Sequence, residues 1–472
     1  MEKSGPQIGG KIRRLRRQKH VSQADLASAL GISASYLNLL EHNRRNITVP
    51  LLFKLAGHFG IEPGELVESD EGQLVGDLME LFGDDIFADA DLTNHEIRDL
   101  AFSNPSAARA ILRLFDKYQE TRTTRSSRNS DTEPEPSTTG YHMATEAISD
   151  FIQENANHFP TLEASAERVR HDVDHASDSF EMGLKTYLAN VFGLECKMAS
   201  LPAGIAQKLD ETTNKLYISD ILSPESALFS LAHRAALLTA EHEIEKIVDQ
   251  STLPEGDAPM LAKNVLASYF AAALVMPYTP FLAACRDYRY DVERLSRRFN
   301  ASFEQVCHRM TTLQRQGAQG IPLHLVRTDI AGNISKRFSL SGIHIPRHSG
   351  ACPRWNIYSA FLQPEKINIQ ISQMPDSETY FCIAKSIAKG GYRHNAPRRH
   401  LSIGLGCHIS HAKEMIYSEG VDLKNQSQVV PIGVGCRICP RLECGQRAHP
   451  PADHRFRIDS ATKPENLYAK MS

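Results

Sequence analysis

Twenty consecutive residues, Thr121 to Gly140, contain no large apolar side chain. A segment that cannot bury apolar surface cannot offset its chain entropy, so it is expected to be a disordered linker with separate folded parts on either side. Length leads to the same division. The chain has 472 residues, and single cores rarely grow beyond roughly 250 to 300 residues. The formal net charge of −3 is unevenly spread, with ten Lys or Arg against three Asp or Glu in residues 1–60 and a predominantly acidic stretch from Glu62 to Glu135. What a chain meets depends on where its charge sits, so the amino-terminal end is suited to phosphate. Met1 to Gly10 lacks the apolar core of a secretory signal, and no run of about eighteen uncharged apolar residues follows, so a cytoplasmic protein is expected.

Apolar periodicity predicts five short helices between Ile8 and Val67. The first carries Ile8, Ile12 and Leu15 on one face and a ring of Lys and Arg around the rest. Ser22 is placed to cap the second, which is expected to bury Ala24, Leu26, Ala27 and Leu30; Gly31 supplies a tight turn and Ser33 caps a third helix over 34–41. Helical patterns continue through an acidic region and resume from Tyr141 to Gln316. From Ile321 the pattern turns to short strands, among them Leu323–Arg327, Ile367–Ile371 and Tyr380–Ala384. The expected organisation is multidomain and mainly α. It comprises a five-helix domain at 1–68, an acidic helical connector at 69–120, a linker at 121–140, a helical domain at 141–320 and an α+β domain at 321–472.

Ser22–Ala27, Leu30–Ser33 and Tyr36–Glu41 fall at the spacing of a helix-turn-helix, with the small Ala27 where the two helices must approach. The module resembles the Cro/repressor-like family of bacterial and phage regulators. That resemblance implies that Gln23 contacts a phosphate, that Ser33, Ser35, Tyr36 and Asn38 face base edges in the major groove, and that Arg44 and Arg45 hold backbone phosphates. One module reads a half-site, so a homodimer on an inverted repeat of double-stranded DNA is the natural assembly.

Phe229–Leu238 followed by Ala267–Pro277 resembles a domain related to small zinc metallopeptidases. Their chemistry needs two imidazoles and a carboxylate at His-Glu-x-x-His spacing plus a third ligand from the second segment. Here His233 stands at the first histidine, but Arg234 replaces the base, Leu237 the second ligand and Leu266 the third. The neighbouring His242-Glu243 fails in the same way, with Lys246 at the second position. No catalytic residue is therefore assigned, and the protein is not expected to be an enzyme. A zinc peptidase governed by its DNA-binding domain is the competing reading from another class, and it requires zinc-dependent cleavage that is lost on changing His233.

Cys436, Cys439 and Cys444 lie within nine residues, preceded by Gly433 and Gly435 and interleaved with Arg437, Arg441 and Arg447. Glycines permit a tight loop whose amides can point at sulfur, and arginines offset thiolate charge. A single Cys-x-x-Cys followed by a looser gap and a distant cysteine suits an iron–sulfur cluster of the [4Fe-4S] type better than the paired knuckles of structural zinc, which stays as the alternative. Cys352 is the first choice of fourth ligand and Cys407 the second, while Cys196, Cys285, Cys307 and Cys382 lie in apolar contexts as core residues.

The order of these parts, with Cys352-Pro353-Arg354-Trp355-Asn356 and Gly404-Leu405-Gly406-Cys407 ahead of the terminal cysteines, resembles the short-chain fatty acyl transcriptional regulators. The resemblance implies control of short-chain acyl metabolism of the propionate and acetate type, an acyl-coenzyme A as effector and, in some members, an iron–sulfur cluster in the carboxyl-terminal domain. Lys385, Lys389, Arg393, Arg398 and Arg399 form a basic stretch suited to the coenzyme's phosphates. A second reading makes the cluster itself the primary redox or iron signal.

Overall fold

Four helices, α1 (Gly9–Gln18), α2 (Gln23–Leu30), α3 (Ala34–Glu41) and α4 (Val49–Phe59), form where apolar residues recur at helical spacing. The computed structural model describes residues 9–19, 21–41, 45, 47–60, 71–87, 92, 94–127, 138–177, 179–347, 350–390 and 397–450. Ser22 Oγ accepts the Asp25 N–H at the start of α2, Ser33 Oγ accepts the Tyr36 N–H at the start of α3, and Gly31 ends α2 at φ +70°. Leu26, Ala27, Leu30, Leu37, Leu40, Leu55 and Phe59 close the core around Ile12. Ala24, expected to be buried, is exposed because the buried stripe of α2 runs through Leu26, Ala27 and Leu30. The fifth helix expected before Val67 lies outside the described residues.

The connector has its own small core, Leu74, Leu78, Leu81, Ile97, Ala101, Leu112 and Phe115, shared by α5 (Glu71–Phe82), α6 (Asn94–Ser103) and α7 (Pro105–Ser127). The linker expected at 121–140 is helical at both ends, since α7 runs through Ser127 and α8 (Thr138–Glu154) begins before its end. Once a helix is nucleated, each further residue adds a hydrogen bond at little cost, so α7 continues seven residues into the polar stretch. Residues 128–137 lie outside those described. Chain contacts gather 1–130, 346–349 and 435–472 into one unit and 131–345 with 350–434 into another. The carboxyl-terminal segment expected to belong to the α+β domain is thus divided.

In the second unit, α8, α9 (Pro160–Ala176) and α10 (Phe180–Phe192) precede a small sheet of β1 (Glu195–Ala199), β2 (Gln207–Asp210) and β3 (Lys215–Ser219) in the order β1-β3-β2. The middle region is therefore not wholly helical. Its strands escape periodicity because they are short and mostly open to solvent. Next come α11 (Pro224–Thr239), α12 (Glu241–Asp249), α13 (Asp257–Val275), α14 (Tyr278–Asp287), α15 (Val292–Phe299) and α16 (Phe303–Thr311). By length and composition α13 could cross a membrane, yet it is the core helix, with Leu266, Ala267, Phe270, Ala271 and Leu274 fully enclosed.

A six-stranded sheet follows, made of β4 (Leu323–Asp329), β5 (Ile334–Ser339), β6 (Asn368–Gln373), β7 (Thr379–Lys389), β8 (Arg399–His408) and β9 (Val429–Pro431), in the order β5-β4-β8-β7-β6-β9. It is antiparallel except for the β6–β9 pair. One face, with Leu325, Phe381, Ile383, Ile403, Leu405 and Cys407, shares a continuous core with the preceding helices. The opposite face packs Val326, Tyr380, Cys382 and Ala384 against Ile343, Cys352, Trp355 and Ile357. The change from helix to strand at 321 therefore divides patterns but not cores, because a sheet with two apolar faces needs cover on both.

Candidate DNA-binding face and cysteine loop

Ser33, Ser35 and Asn38 are exposed on α3, as base-reading residues must be, while Tyr36 is half-buried against the domain core. Ser33 is partly committed to structure, since its hydroxyl caps α3 and lies 3.2 Å from Ser35 Oγ. Arg45 is exposed, and Arg44 lies outside the described residues. Gln23 is half-buried and donates from Nε2 to Glu41 Oε2 at 3.0 Å. Glu41 itself, which the sequence pattern marks only as the end of a helix, is 1% exposed and organises the motif. Arg16 donates to both of its oxygens, Nε to Oε1 at 2.7 Å and Nη2 to Oε2 at 3.1 Å. One carboxylate thus ties α1, α2 and α3 together, and its hydrogen bond raises the Arg16 pKa. The only sequence signal for it was an acidic residue on the apolar side of a basic domain.

In α11, His233 is half-buried, with Nδ1 3.4 Å from Gln207 Nε2 of β2. Burial pushes its pKa down. Leu266 is fully enclosed in the core and Leu237 packs at its margin, so neither the second nor the third ligand position offers a donor. Among the described residues, no three His, Cys, Asp or Glu side chains are gathered as a metal site.

Cys436, Cys439 and Cys444 carry free, half-buried thiols. Arg447, only 4% exposed, shapes their loop from within. Its guanidinium donates to the carbonyls of Cys436 at 2.5 Å, Cys439 at 2.7 Å and Arg441 at 2.8 Å. The Ala448 amide lies 3.4 Å from Cys436 Sγ and donates to it. The residue types, three thiols beside an amide and a buried cation, suit a thiolate-bound group, but the three sulfurs are not gathered as a metal site in this structure. Ile438, between the first two cysteines, packs on the connector so closely that a Cβ on Gly83 would lie 2.6 Å from its Cγ2. In the second unit, the Cys352 N–H donates to the Val434 carbonyl at 2.8 Å and Trp355 Nε1 to the Gly433 carbonyl at 2.9 Å. Cys407 lies on the other face of the sheet, fully buried, with Sγ 3.7 Å from Met415 Sδ. Cys285, Cys307 and Cys382 are buried, whereas Cys196 is half-buried.

A helix-turn-helix domain followed by a peptidase-like helical region and a sheet domain defines a multidomain DNA-binding transcription regulator. Family models agree along the chain: helix-turn-helix at 12–66, IrrE N-terminal-like domain at 189–311, and short-chain fatty acyl coenzyme A regulator, C-terminal, at 312–468. The transcriptional regulator RamB of Mycobacterium tuberculosis is 35% identical over 96% of both chains. PrpR of the same organism is 36% identical over 96% of this chain and 93% of its own, and the propionyl-CoA carboxylase regulator of Cereibacter sphaeroides is 35% identical over 96% of both. A solved Mycobacterium tuberculosis transcriptional regulator superposes with a TM-score of 0.66 at 37% identity, covering 69% of this chain and 99% of that one. The chain belongs to the short-chain fatty acyl coenzyme A regulator family.

Proposed function

We propose that this regulator controls genes of propionate- or acetate-type acyl metabolism by binding an inverted repeat as a homodimer, with an acyl-coenzyme A as effector held by residues 141–472. The observation that carries the reading is the likeness over 96% of the chain to regulators that include one of propionyl-CoA carboxylase. An effector switches DNA binding only through different affinities for two states of the protein. Gln23, Arg44 and Arg45 hold phosphates in this reading, and Ser33, Ser35, Tyr36 and Asn38 read bases. No hydrolytic step is assigned, because Arg234, Leu237 and Leu266 stand where a base and two ligands are required.

Cys436, Cys439 and Cys444, with Cys352 as fourth ligand, would hold an iron–sulfur cluster, whose chemistry is reversible electron transfer and sensitivity to oxidants. Cys352 stays the first choice and Cys407 the second on the sequence reading, and both thiols are buried. Anaerobic purification with iron and acid-labile sulfide analysis tests the assignment. Iron and sulfide in similar amounts, lost in Cys436→Ser, are expected; stoichiometric zinc overturns the cluster. Cys439→Ser then separates effector from cluster control. Acyl-coenzyme A regulation that persists without the cluster rejects the cluster as primary signal.

A further inference from the structure

Where α16 meets the six-stranded sheet, one buried carboxylate is surrounded by cations. Glu304, 4% exposed, lies 2.8 Å from Arg327 Nη1 and 3.6 Å from Lys336 Nζ, and it also pairs with Lys389. Register brings these together: Arg327 and Lys336 are cross-strand partners in β4 and β5, and Lys389 ends β7. Arg327 is further fixed by donating from Nε to Ser335 Oγ at 2.8 Å. Three cations around one anion leave two positive charges uncompensated. One turn along α16, His308 Nε2 is buried without a hydrogen-bond partner. Burial, with Lys336, Arg327 and Lys389 nearby, pushes His308 down to about 3, so its ring is neutral. The adjacent Lys385 is already balanced by Glu293 and Glu365.

We propose that Arg327, Lys336 and Lys389, set around Glu304 next to His308, form a binding site for a phosphate-type dianion, the phosphate or pyrophosphate group of a small ligand. Two negative charges match the local excess. Each lysine has three donors and uses few of them on Glu304, and both side chains remain about two-fifths exposed (43% and 40%), so a ligand can reach them. Glu304 serves as the fixed counter-ion that orients the cations, and its own pKa is held well below the usual range, the cations outweighing the effect of burial. This inference deepens the effector reading and rests on it only for the identity of the ligand.

Calorimetric titration of the full chain at low salt with pyrophosphate and, separately, with coenzyme A tests the site. The Lys336→Gln/Lys389→Gln variant is expected to weaken both by about tenfold or more, whereas Lys208→Gln/Lys246→Gln, which neutralises two exposed lysines elsewhere, changes neither. Lys336→Gln alone keeps the Arg327 and Lys389 pairs with Glu304 and serves if the double variant does not fold. Pyrophosphate that does not bind, or binds the variants as tightly as the parent chain, overturns the site. Pyrophosphate weakened in the variant while coenzyme A is bound equally by both upholds the site, takes the coenzyme elsewhere and leaves the effector reading intact. Pyrophosphate binding lost in the variant, with no coenzyme A binding at all, upholds the site and removes the coenzyme as its ligand.

Discussion

At the scale of single residues, Glu41 holds the most leverage, because removing one partner of a buried pair strands the other. Glu41→Ala is expected to cost the amino-terminal domain about 3 kcal/mol in denaturant unfolding; a loss below roughly 1 kcal/mol contradicts its organising role. Gln23→Ala should instead leave the domain folded and weaken DNA binding evenly across sequences without changing the salt slope of log affinity, since a neutral amide displaces no counterion. His324 makes a pH prediction. It is 4% exposed, with Nδ1 2.8 Å from Ser341 Oγ and Nε2 3.6 Å from Cys382 Sγ, and burial lowers its pKa from 6.5 to about 3. The unfolded chain therefore takes the proton first. This contribution is complete above pH 6.5 and is lost as pH falls from there toward 3, at roughly 1 kcal/mol per pH unit. Urea midpoints from pH 7 to 4 should fall less steeply in His324→Gln than in the parent, and equal slopes would contradict the assignment.

At the scale of elements, Gly406 shows why part of the sheet was hidden. A Cβ there would meet His324 Cε1 at 2.5 Å and the Phe381 carbonyl at 2.7 Å, so the central strand β8 must carry glycine where the imidazole crosses it. Gly406→Ala is expected to destabilise the second unit by about 2 kcal/mol, because the carbonyl cannot yield; a neutral result in thermal unfolding would show that the sheet relaxes. Glycine reads locally as a turn signal, and β8 was accordingly not predicted as a strand. The apolar runs at Leu323 and Tyr380 were legible, as both faces of their strands are covered, and the run at Ile367 was legible although its Ile369 is exposed. Edge strand β5 was not, since Lys336 and Arg337 interrupt it. The helix-turn-helix was legible almost whole, because caps, turn glycine and apolar period are all local.

At the scale of the whole molecule, the sequence pattern showed the cysteine loop but not what shapes it. Arg447 reads in sequence as one of three arginines that offset thiolate charge, and its role in holding three carbonyls depends on a loop closure with no period to betray it. The same holds for the grouping of residues 435–472 with the amino-terminal 130. The packing of Ile438 on Gly83 ties that loop to the connector behind the DNA-binding domain. If the loop holds the proposed cluster, Gly83→Val is expected to displace Ile438 and lower the iron bound by the full chain; unchanged iron content would dismiss the contact. The most direct test of the account is the affinity of the full chain for a DNA site selected in vitro, measured by fluorescence anisotropy with free coenzyme A and with its acetyl, propionyl and butyryl thioesters. The account predicts that at least one short acyl thioester shifts the affinity by about tenfold or more, beyond the effect of free coenzyme A. Affinity that stays the same across the whole series contradicts it.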